Sequence, residues 1–412
     1  MREFLESMRE KDAVIDVERQ VSEDYEAPRM AAETNKILLF HHLGKSRAVM
    51  NLTARRETLG EGLGIPWMAI PSRLAQSCYE GRVVEGETLS MRRPNLFRLP
   101  VMRHYPGDAG PYITAGIVFS YLDGITNASI HRMLVLDERT VVARLVEGRH
   151  TYLMHQKARE RGEPLPVAVA IGVHPAIIFA SCSRVPEGKE LPFAAELLNG
   201  ELPVHRCPNG VMVPEAEIVL QGFIGSKTAK EGPFVDITGT YDQMRTQPVI
   251  EFSGMWTRKD FLYHGILPGG NEHKILMGVP YEPKIYRAVG EVTQVRNVVL
   301  TRGGCGYLHA VIQIKKSTQG DAKNAILAAF AAHTSLKHVV VVDEDIDPFD
   351  TEEVEFAVAT RVRGDLDILV ITRARGSSLD PTRLPDGTNV KVGVDATMEM
   401  GREEKFIRAR WD

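Results

Sequence analysis

The spacing of apolar positions over residues 2–10 predicts an amphipathic helix, and residues 36–41 and 47–52 read as short apolar strands joined by polar connections. Gly60, Gly62 and Gly64 follow and read as a flexible loop. Their spacing is not that of a dinucleotide-binding turn, and no strand and helix frame them. Four prolines fall in the eighteen positions from Pro94 to Pro111, which makes this stretch the best candidate for a boundary between an N-terminal domain and the rest.

Beyond that point apolar and β-branched runs dominate. Strands are predicted at 112–121, 133–136, 140–146, 167–172, 176–180, 217–223, 249–253 and 275–279, a set compatible with a barrel or a two-sheet core. A polar segment, 123–132, separates the first two. Helices are predicted at 152–161, stopping at Gly162, and at 193–198, opened by Pro186-Glu-Gly-Lys-Glu190. After about residue 300 the pattern changes. Helices at 320–333 and 351–361 alternate with fully apolar strands at 337–342 and 367–372, as in an α/β layer. The chain therefore reads as an α+β multidomain protein: an N-terminal α/β domain over 1–95, a central β-rich domain over 96–300 and a C-terminal α/β domain over 301–412.

Composition narrows the class. With 412 residues, 43% hydrophobic and 25% charged, the chain is an ordinary globular protein too long for a single core. A net charge of −4, without a dense Lys/Arg run interleaved with aromatics, argues against a nucleic-acid partner. The four cysteines, at 78, 182, 207 and 305, lack any C-x-x-C spacing and point to a reducing, cytoplasmic compartment. The first ten residues are charged throughout and hold no signal-peptide core. The most apolar segment, 167–180, is broken by Gly172, His174 and Pro175 and falls short of a membrane span.

Residues Glu231-Gly-Pro-Phe-Val-Asp236 set two carboxylates five positions apart across a Gly-Pro pair. Five residues apart means opposite faces of a strand, or about 140° around a helix, so the two act together only if irregular backbone brings them together. Gly232 and Pro233 suit such a backbone. An acidic surface turn is the competing reading. A serine-hydrolase elbow, a P-loop, an H-E-x-x-H site and an EF-hand are all absent as patterns. What remains is Asn127, His150 and Glu190, which together offer a carbonyl oxygen, an imidazole and a carboxylate to Mn²⁺ or Mg²⁺. Taken singly, each reads first as a capping group or a satisfied polar side chain, and spacings of 23 and 40 residues are not diagnostic. Arg132, if paired with Glu231, is suited to hold an anionic substrate. The acidic run 343–347 reads as a solvated loop, with a magnesium site as the alternative.

In order and spacing these residues resemble the UbiD-type decarboxylases, which use prenylated FMN. The carriers are Thr126-Asn127-Ala-Ser-Ile-His-Arg132, His150, Pro186-Glu-Gly-Lys-Glu190, Met212-Val-Pro-Glu-Ala-Glu-Ile-Val-Leu220, Glu231-Gly-Pro-Phe-Val-Asp-Ile-Thr-Gly239 and Lys391-Val-Gly-Val-Asp-Ala-Thr397. The match runs over most of the chain. It implies a central split β-barrel that binds the cofactor and a C-terminal α/β domain that builds homo-oligomers, dimers or hexamers. It also implies catalytic roles for Arg132, Glu231 and Asp236, with Asp236 as proton donor and Glu231 tuning Arg132. Aspartate at 236 lies within the Glu/Asp variation of the family. Asn127, His150 and Glu190 are implied to hold Mn²⁺ against the cofactor phosphate, with K⁺ nearby. Glu196 competes with Glu190, because alignment there needs a one-residue gap. Ser181 and Lys391 are implied as further cofactor contacts, and a flavin prenyltransferase as the partner that supplies the cofactor.

Within the family, the short chain and the segments Gly254–His264 and Leu267–Glu272 resemble the short archaeal branch. The activity of that branch is decarboxylation of trans-anhydromevalonate 5-phosphate to isopentenyl phosphate. A phosphorylated substrate calls for further cations, for which Arg258, Lys259 and Lys274 are candidates. A 4-hydroxybenzoate-type or prenylated aromatic acid is the alternative substrate. A non-catalytic cofactor-binding or assembly protein and a metal-dependent hydrolase are the alternatives from other classes.

Overall fold

A computed structural model describes residues 1–409. Residues 1–67 and 78–276 form one compact unit; residues 68–77 and those from 277 onward form a second. The proline-bearing stretch 94–111 runs inside the first unit.

The first unit is built on an eight-stranded antiparallel sheet. Its strand order is Tyr112–Ile113, Met133–Val135, Thr140–Ala143, Arg245–Thr257, Ile218–Glu231, Leu165–Ile171, Ile117–Leu122 and Ile125–Ile130. The sheet curls into a half-barrel. A four-stranded mixed sheet, Val14–Val21, Ile37–Leu43, Ser46–Met50 and Leu262–Gly265, shares its core. Leu38, Phe40, Val118, Val141, Val169, Leu220, Ile250, Phe252 and Tyr263 belong to one buried cluster, each side chain contributing roughly 1.5–3 kcal/mol by leaving water. The strand Ile218–Glu231 is buried through its first half and solvent-facing over 226–228, and returns to the interior only at its last residue, Glu231. That change of environment along one strand brings a carboxylate into the protein at the strand's end.

Several expected elements are present, among them the helix Arg2–Glu10, with Phe4, Leu5 and Met8 buried, and the helix Thr351–Arg361. Four differ. Residues 176–180 are not a strand but part of the helix Pro175–Cys182. Pro175 occupies its first turn and the His174 ring accepts from the Ala176 amide, so a start signal preceded an apolar run too short to show its period. Residues 275–279 likewise fall mostly in a helix, Asn271–Gly278. Residues 125–130, expected within a polar connection, form a strand. Gly60 and Gly62 lie inside the helix Arg56–Leu63. A Cβ on Gly60 would stand 2.7 Å from the Ile65 carbonyl, and one on Gly62 2.6 Å from Pro175 Cβ, so close packing and not flexibility requires these glycines. Gly64, at φ 64°, ends that helix in the left-handed conformation.

The second unit holds a five-stranded sheet in the order Gln294–Leu300, His309–Lys315, His338–Val342, Thr388–Ala396, Ile368–Arg375, with the helices Asp321–Ala332 and Thr351–Arg361. Here the acidic run 343–347 is a loop with Glu344, Asp345 and Asp347 exposed, as expected, but it is also anchored. Asp343 and Asp345 pair with the buried Arg361 at 3.2 and 2.6 Å, which ties the end of one strand to a helix. No helix among the described residues is long and apolar enough to cross a membrane.

Candidate active site

Glu231 is the last residue of its strand, and two irregularities follow at once. Gly232 adopts φ 90°, open to glycine at little cost, and the Gly232–Pro233 peptide is cis. The chain then forms a small hairpin in which Phe234 pairs with Asp242 and Val235 with Tyr241. A turn closes it, the Asp236 amide donating to the Thr240 carbonyl at 3.0 Å. The residues 105–109 brace this hairpin: Ala109 N donates to the Pro233 carbonyl at 3.0 Å, and Val235 N to Asp108 Oδ1 at 3.4 Å. Irregular backbone thus does what neither a strand nor a helix would do, and turns Glu231 and Asp236 toward one point.

That point is Arg132, which lies just past the strand Ile125–Ile130. Its Nε donates to Glu231 Oε1 at 2.9 Å and its Nη2 to Glu231 Oε2 at 3.0 Å. Nη1 donates to Asp236 Oδ2 at 3.2 Å, and Nη2 also to Asp242 Oδ2 at 2.8 Å. The Arg132 side chain is 11% exposed and that of Glu231 fully buried. The guanidinium carbon stands 5.1 Å from the centre of the Phe234 ring, a cation–π distance. Burial works against the charge of Arg132, but the hydrogen bonds and charge of Glu231, with Asp236 and Asp242, outweigh it and hold the guanidinium firmly protonated. Tyr112 donates to Glu231 Oε1 at 3.2 Å and accepts from Gly232 N at 3.1 Å, fixing the carboxylate from behind. Asp242 is a member of this cluster that sequence reasoning missed. Its only signals were its place opposite Phe234 in a hairpin and an arginine three residues on.

Asn127 sits mid-strand in Ile125–Ile130, and its amide nitrogen donates to Thr151 Oγ1 at 2.9 Å. Thr151 also bonds Ser129 Oγ at 2.9 Å, and Ser129 the His131 ring at 2.8 Å. This buried network fixes the Asn127 amide and leaves its oxygen as the remaining ligand atom. His150 begins the helix His150–Glu160 next to Thr151, and Glu190 begins the helix Glu190–Leu197. His150 Nδ1 stands 3.5 Å from Glu190 Oε1. Glu196 faces other partners, accepting from the amides of Tyr79 at 2.6 Å and Glu80 at 3.3 Å. The structure therefore brings Glu190, and not Glu196, to His150.

Glu190 is 5% exposed, and its Oε2 has no hydrogen-bond partner. Burial, with the charge of Glu187 adding to it, pushes its carboxyl up to about 7. A buried carboxylate with an unpartnered oxygen beside an imidazole, with an asparagine bonded to the residue next to that histidine, is a donor set that fits Mn²⁺ or Mg²⁺.

The other expected contacts are placed differently. Ser181 Oγ donates to the Ile177 carbonyl at 2.8 Å within its own helix. Lys391 lies in the second unit, where its ammonium donates to the carbonyls of Thr334, at 2.8 Å, and Leu336, over the ring of Phe330. Arg258 pairs with Glu215 and Lys259 is exposed. Lys274 sits in the helix Asn271–Gly278 beside His273. Burial first, and the charges of Arg132 and Lys274 after it, keep His273 below its usual pKa, while Asp236 opposes them.

Three family models match successive stretches of the chain, those of the 3-octaprenyl-4-hydroxybenzoate carboxy-lyase N-terminal domain (residues 5–78), Rift-related domain (79–271) and C-terminal domain (274–396). The chain belongs to the UbiD family. Among UbiD relatives it is 54% identical to the anhydromevalonate phosphate decarboxylase of Methanosarcina mazei, over 99% of this chain and 98% of that protein. It is 48% identical to that of Archaeoglobus fulgidus, over 96% and 95%. The UbiD-class enzyme HmfF of Pelotomaculum thermopropionicum, solved with FMN, superposes with a TM-score of 0.96 at 35% identity, covering 100% of this chain and 97% of the other. An evolved dimeric form of HmfF, solved with prFMN, gives 0.91 at 33%, covering 100% and 96%.

Proposed function

We propose that this UbiD protein decarboxylates trans-anhydromevalonate 5-phosphate to isopentenyl phosphate, a step in isoprenoid synthesis, as a prenylated-FMN-dependent carboxy-lyase. The observation that carries the reading is Arg132, closed on one edge by Glu231 and presenting Asp236 on the other, in a chain 54% identical to the Methanosarcina mazei enzyme.

Arg132 binds the carboxylate of the unsaturated acid and orients the bond to be broken. Glu231, buried and held by Tyr112, keeps the guanidinium from turning. A second carboxylate arriving at the arginine favours the protonated form of Asp236, which then delivers a proton to the carbon that has lost CO₂. Prenylated FMN, when bound, supplies the electron sink for that loss. Asn127, His150 and Glu190 would hold Mn²⁺ between the protein and the cofactor phosphate, and the unpartnered oxygen of Glu190 supports this. K⁺ is part of the same reading through the family resemblance. Lys274 and Lys259 remain the candidate cations for the substrate phosphate, since Arg258 is committed to Glu215. Ser181 and Lys391 remain proposed cofactor contacts, although both are already bonded to backbone carbonyls.

A homo-oligomer fits the exposed apolar side chains Ile368 and Val370 of the edge strand Ile368–Arg375, with Leu366 just before it. Cysteine usage supports a cytoplasmic location, and a flavin prenyltransferase is the partner that supplies the cofactor.

The test is co-expression with a flavin prenyltransferase, then absorbance and mass of the bound cofactor and CO₂ release from the phosphorylated acid. A prenylated flavin and CO₂ release are expected. Equal activity in protein made without the prenyltransferase would replace the proposal with a metal-dependent hydrolase. A bound cofactor with no release from any unsaturated acid would leave a binding protein.

A further inference from the structure

Arg132 has five N–H donors, and its two edges are used differently. Glu231 closes the Nε and Nη2 edge with bonds of 2.9 and 3.0 Å. The outer edge, Nη1 and Nη2, is the one left for an incoming carboxylate, and it is divided. Nη1 donates to Asp236 at 3.2 Å and Nη2 to Asp242 at 2.8 Å. An acid that binds with two parallel hydrogen bonds must take both positions. It therefore displaces Asp242 as well as Asp236.

The two aspartates differ in what they can fall back on. Asp236 Oδ1 keeps the amide of Ile237 at 2.7 Å, but among the described residues Asp236 has no second Lys or Arg within ion-pair distance. Asp242 has one. Arg245 Nη1 stands 2.6 Å from the same Oδ2 that Arg132 holds. Arg245 starts the long strand Arg245–Thr257, is about one-third exposed, and is steadied by a bond to the Gln243 carbonyl at 3.1 Å. Leaving Arg132 would not leave Asp242 as an uncompensated, largely buried charge, which is the usual cost of breaking such a pair.

We propose that Asp242 is an internal competitor for the substrate's carboxylate: it occupies the outer edge of Arg132 in the resting enzyme and passes to Arg245 when the acid binds. Asp242 and Arg245 are positioning residues, acting through Arg132 and not on the reacting carbon. The proposal rests on the decarboxylase reading, because it needs an acid that docks on Arg132. Its use to the protein is that the guanidinium, lying over Phe234, keeps both edges occupied between turnovers and meets each substrate in the same orientation. The consequence is weaker acid binding than a bare arginine would give.

A steady-state cycle on the holoenzyme tests this with Asp242→Asn, Arg245→Gln and the double variant. Removing the competitor's charge should lower KM roughly fivefold, the size of a partly exposed ion pair. Removing Arg245 should raise KM by a similar factor, because Asp242 then has nowhere else to go. In the double variant KM should stay at the Asp242→Asn value. An unchanged or raised KM for Asp242→Asn overturns the proposal. So does an Arg245→Gln effect of equal size in both backgrounds, which would mean that the charges act only through their field. If Asp242→Asn does not fold, Arg245→Gln alone decides: an unchanged or lowered KM overturns the competition. Loss of all turnover in the wild-type protein strikes at the substrate reading, whereas an active wild type with an additive cycle strikes at Asp242 alone.

Discussion

The strand Ile125–Ile130 serves two corners of the first unit that handle buried charge in opposite ways. Past its end, Arg132 is met by Glu231, Asp236 and Asp242, and Asp242 is met in turn by Arg245, so each buried charge has a counter-charge in the chain. In its middle, Asn127 bonds Thr151, the neighbour of His150, and His150 stands by Glu190, a buried carboxylate with one oxygen that none of the described residues partners. The first corner is charge-balanced by its own side chains; the second holds a buried carboxylate oxygen that none of the described residues partners. The difference teaches that one strand can border both a cluster whose charges are balanced within the chain and a buried carboxylate that is left to a proton or, on the proposed reading, to a metal.

Substitutions should separate the two corners. The largest effect is expected from Asp236→Asn, which should lower CO₂ release by roughly a thousandfold, the scale of a lost general acid, while the absorbance of the bound flavin is unchanged. Turnover near the wild-type rate would move the proton donor elsewhere. Next come two glutamates that should respond with opposite signs. Glu231→Gln removes the partner of a buried arginine and should destabilise the protein by about 3 kcal/mol. Glu190→Gln removes a buried charge one of whose oxygens is unpartnered, and should stabilise the metal-free protein by about 1 kcal/mol at pH 8, where the wild-type carboxyl, raised to about 7 by burial, is ionised. Denaturation of the metal-free proteins measures both, and equal signs would break the comparison. The same Glu190→Gln protein should lose its stabilisation by added Mn²⁺.

The smallest effect concerns a third way of tolerating burial, which is to give up charge. His104 lies edge-on to Phe234 under the arginine corner, with both ring nitrogens unpartnered, and burial pushes it down to about 3. Between its unfolded value, near 6.5, and about 3, the unfolded chain takes up a proton that the folded one refuses. Stability is therefore lost as pH falls through that window. From pH 7.5 to 5.5 the loss through this group is about 1 kcal/mol. His104→Leu should lose that much less over the same interval in paired denaturation curves, and an unchanged difference would mean that His104 can be protonated in place.

Long, strongly patterned elements were legible in the sequence because local spacing alone decides them. The helix Thr351–Arg361 and the valine run ending at Val342 are examples. The apolar run at 176–180 was not, since a run that short carries no period and the helix-starting His174-Pro175 pair had to be weighed against β-branched neighbours. Residue types at the site were legible too: Asn127, Arg132, His150, Glu190, Glu231 and Asp236 were all candidates from their chemistry and order. Asp242 was not, because nothing local distinguishes an aspartate that meets an arginine 110 residues away from one that faces water.

The sequence by itself determined the mixed α and β character of the chain, the family resemblance and the presence of an arginine with two carboxylates in reach of irregular backbone. Only the tertiary structure decided that Glu231 closes the inner edge of Arg132, that Asp236 shares the outer edge with Asp242, and that Glu190 rather than Glu196 stands beside His150. The physical reason is that spacing along a chain fixes which face of an element a residue occupies, whereas the pairing of charges 99 to 110 residues apart depends on which faces the fold brings together.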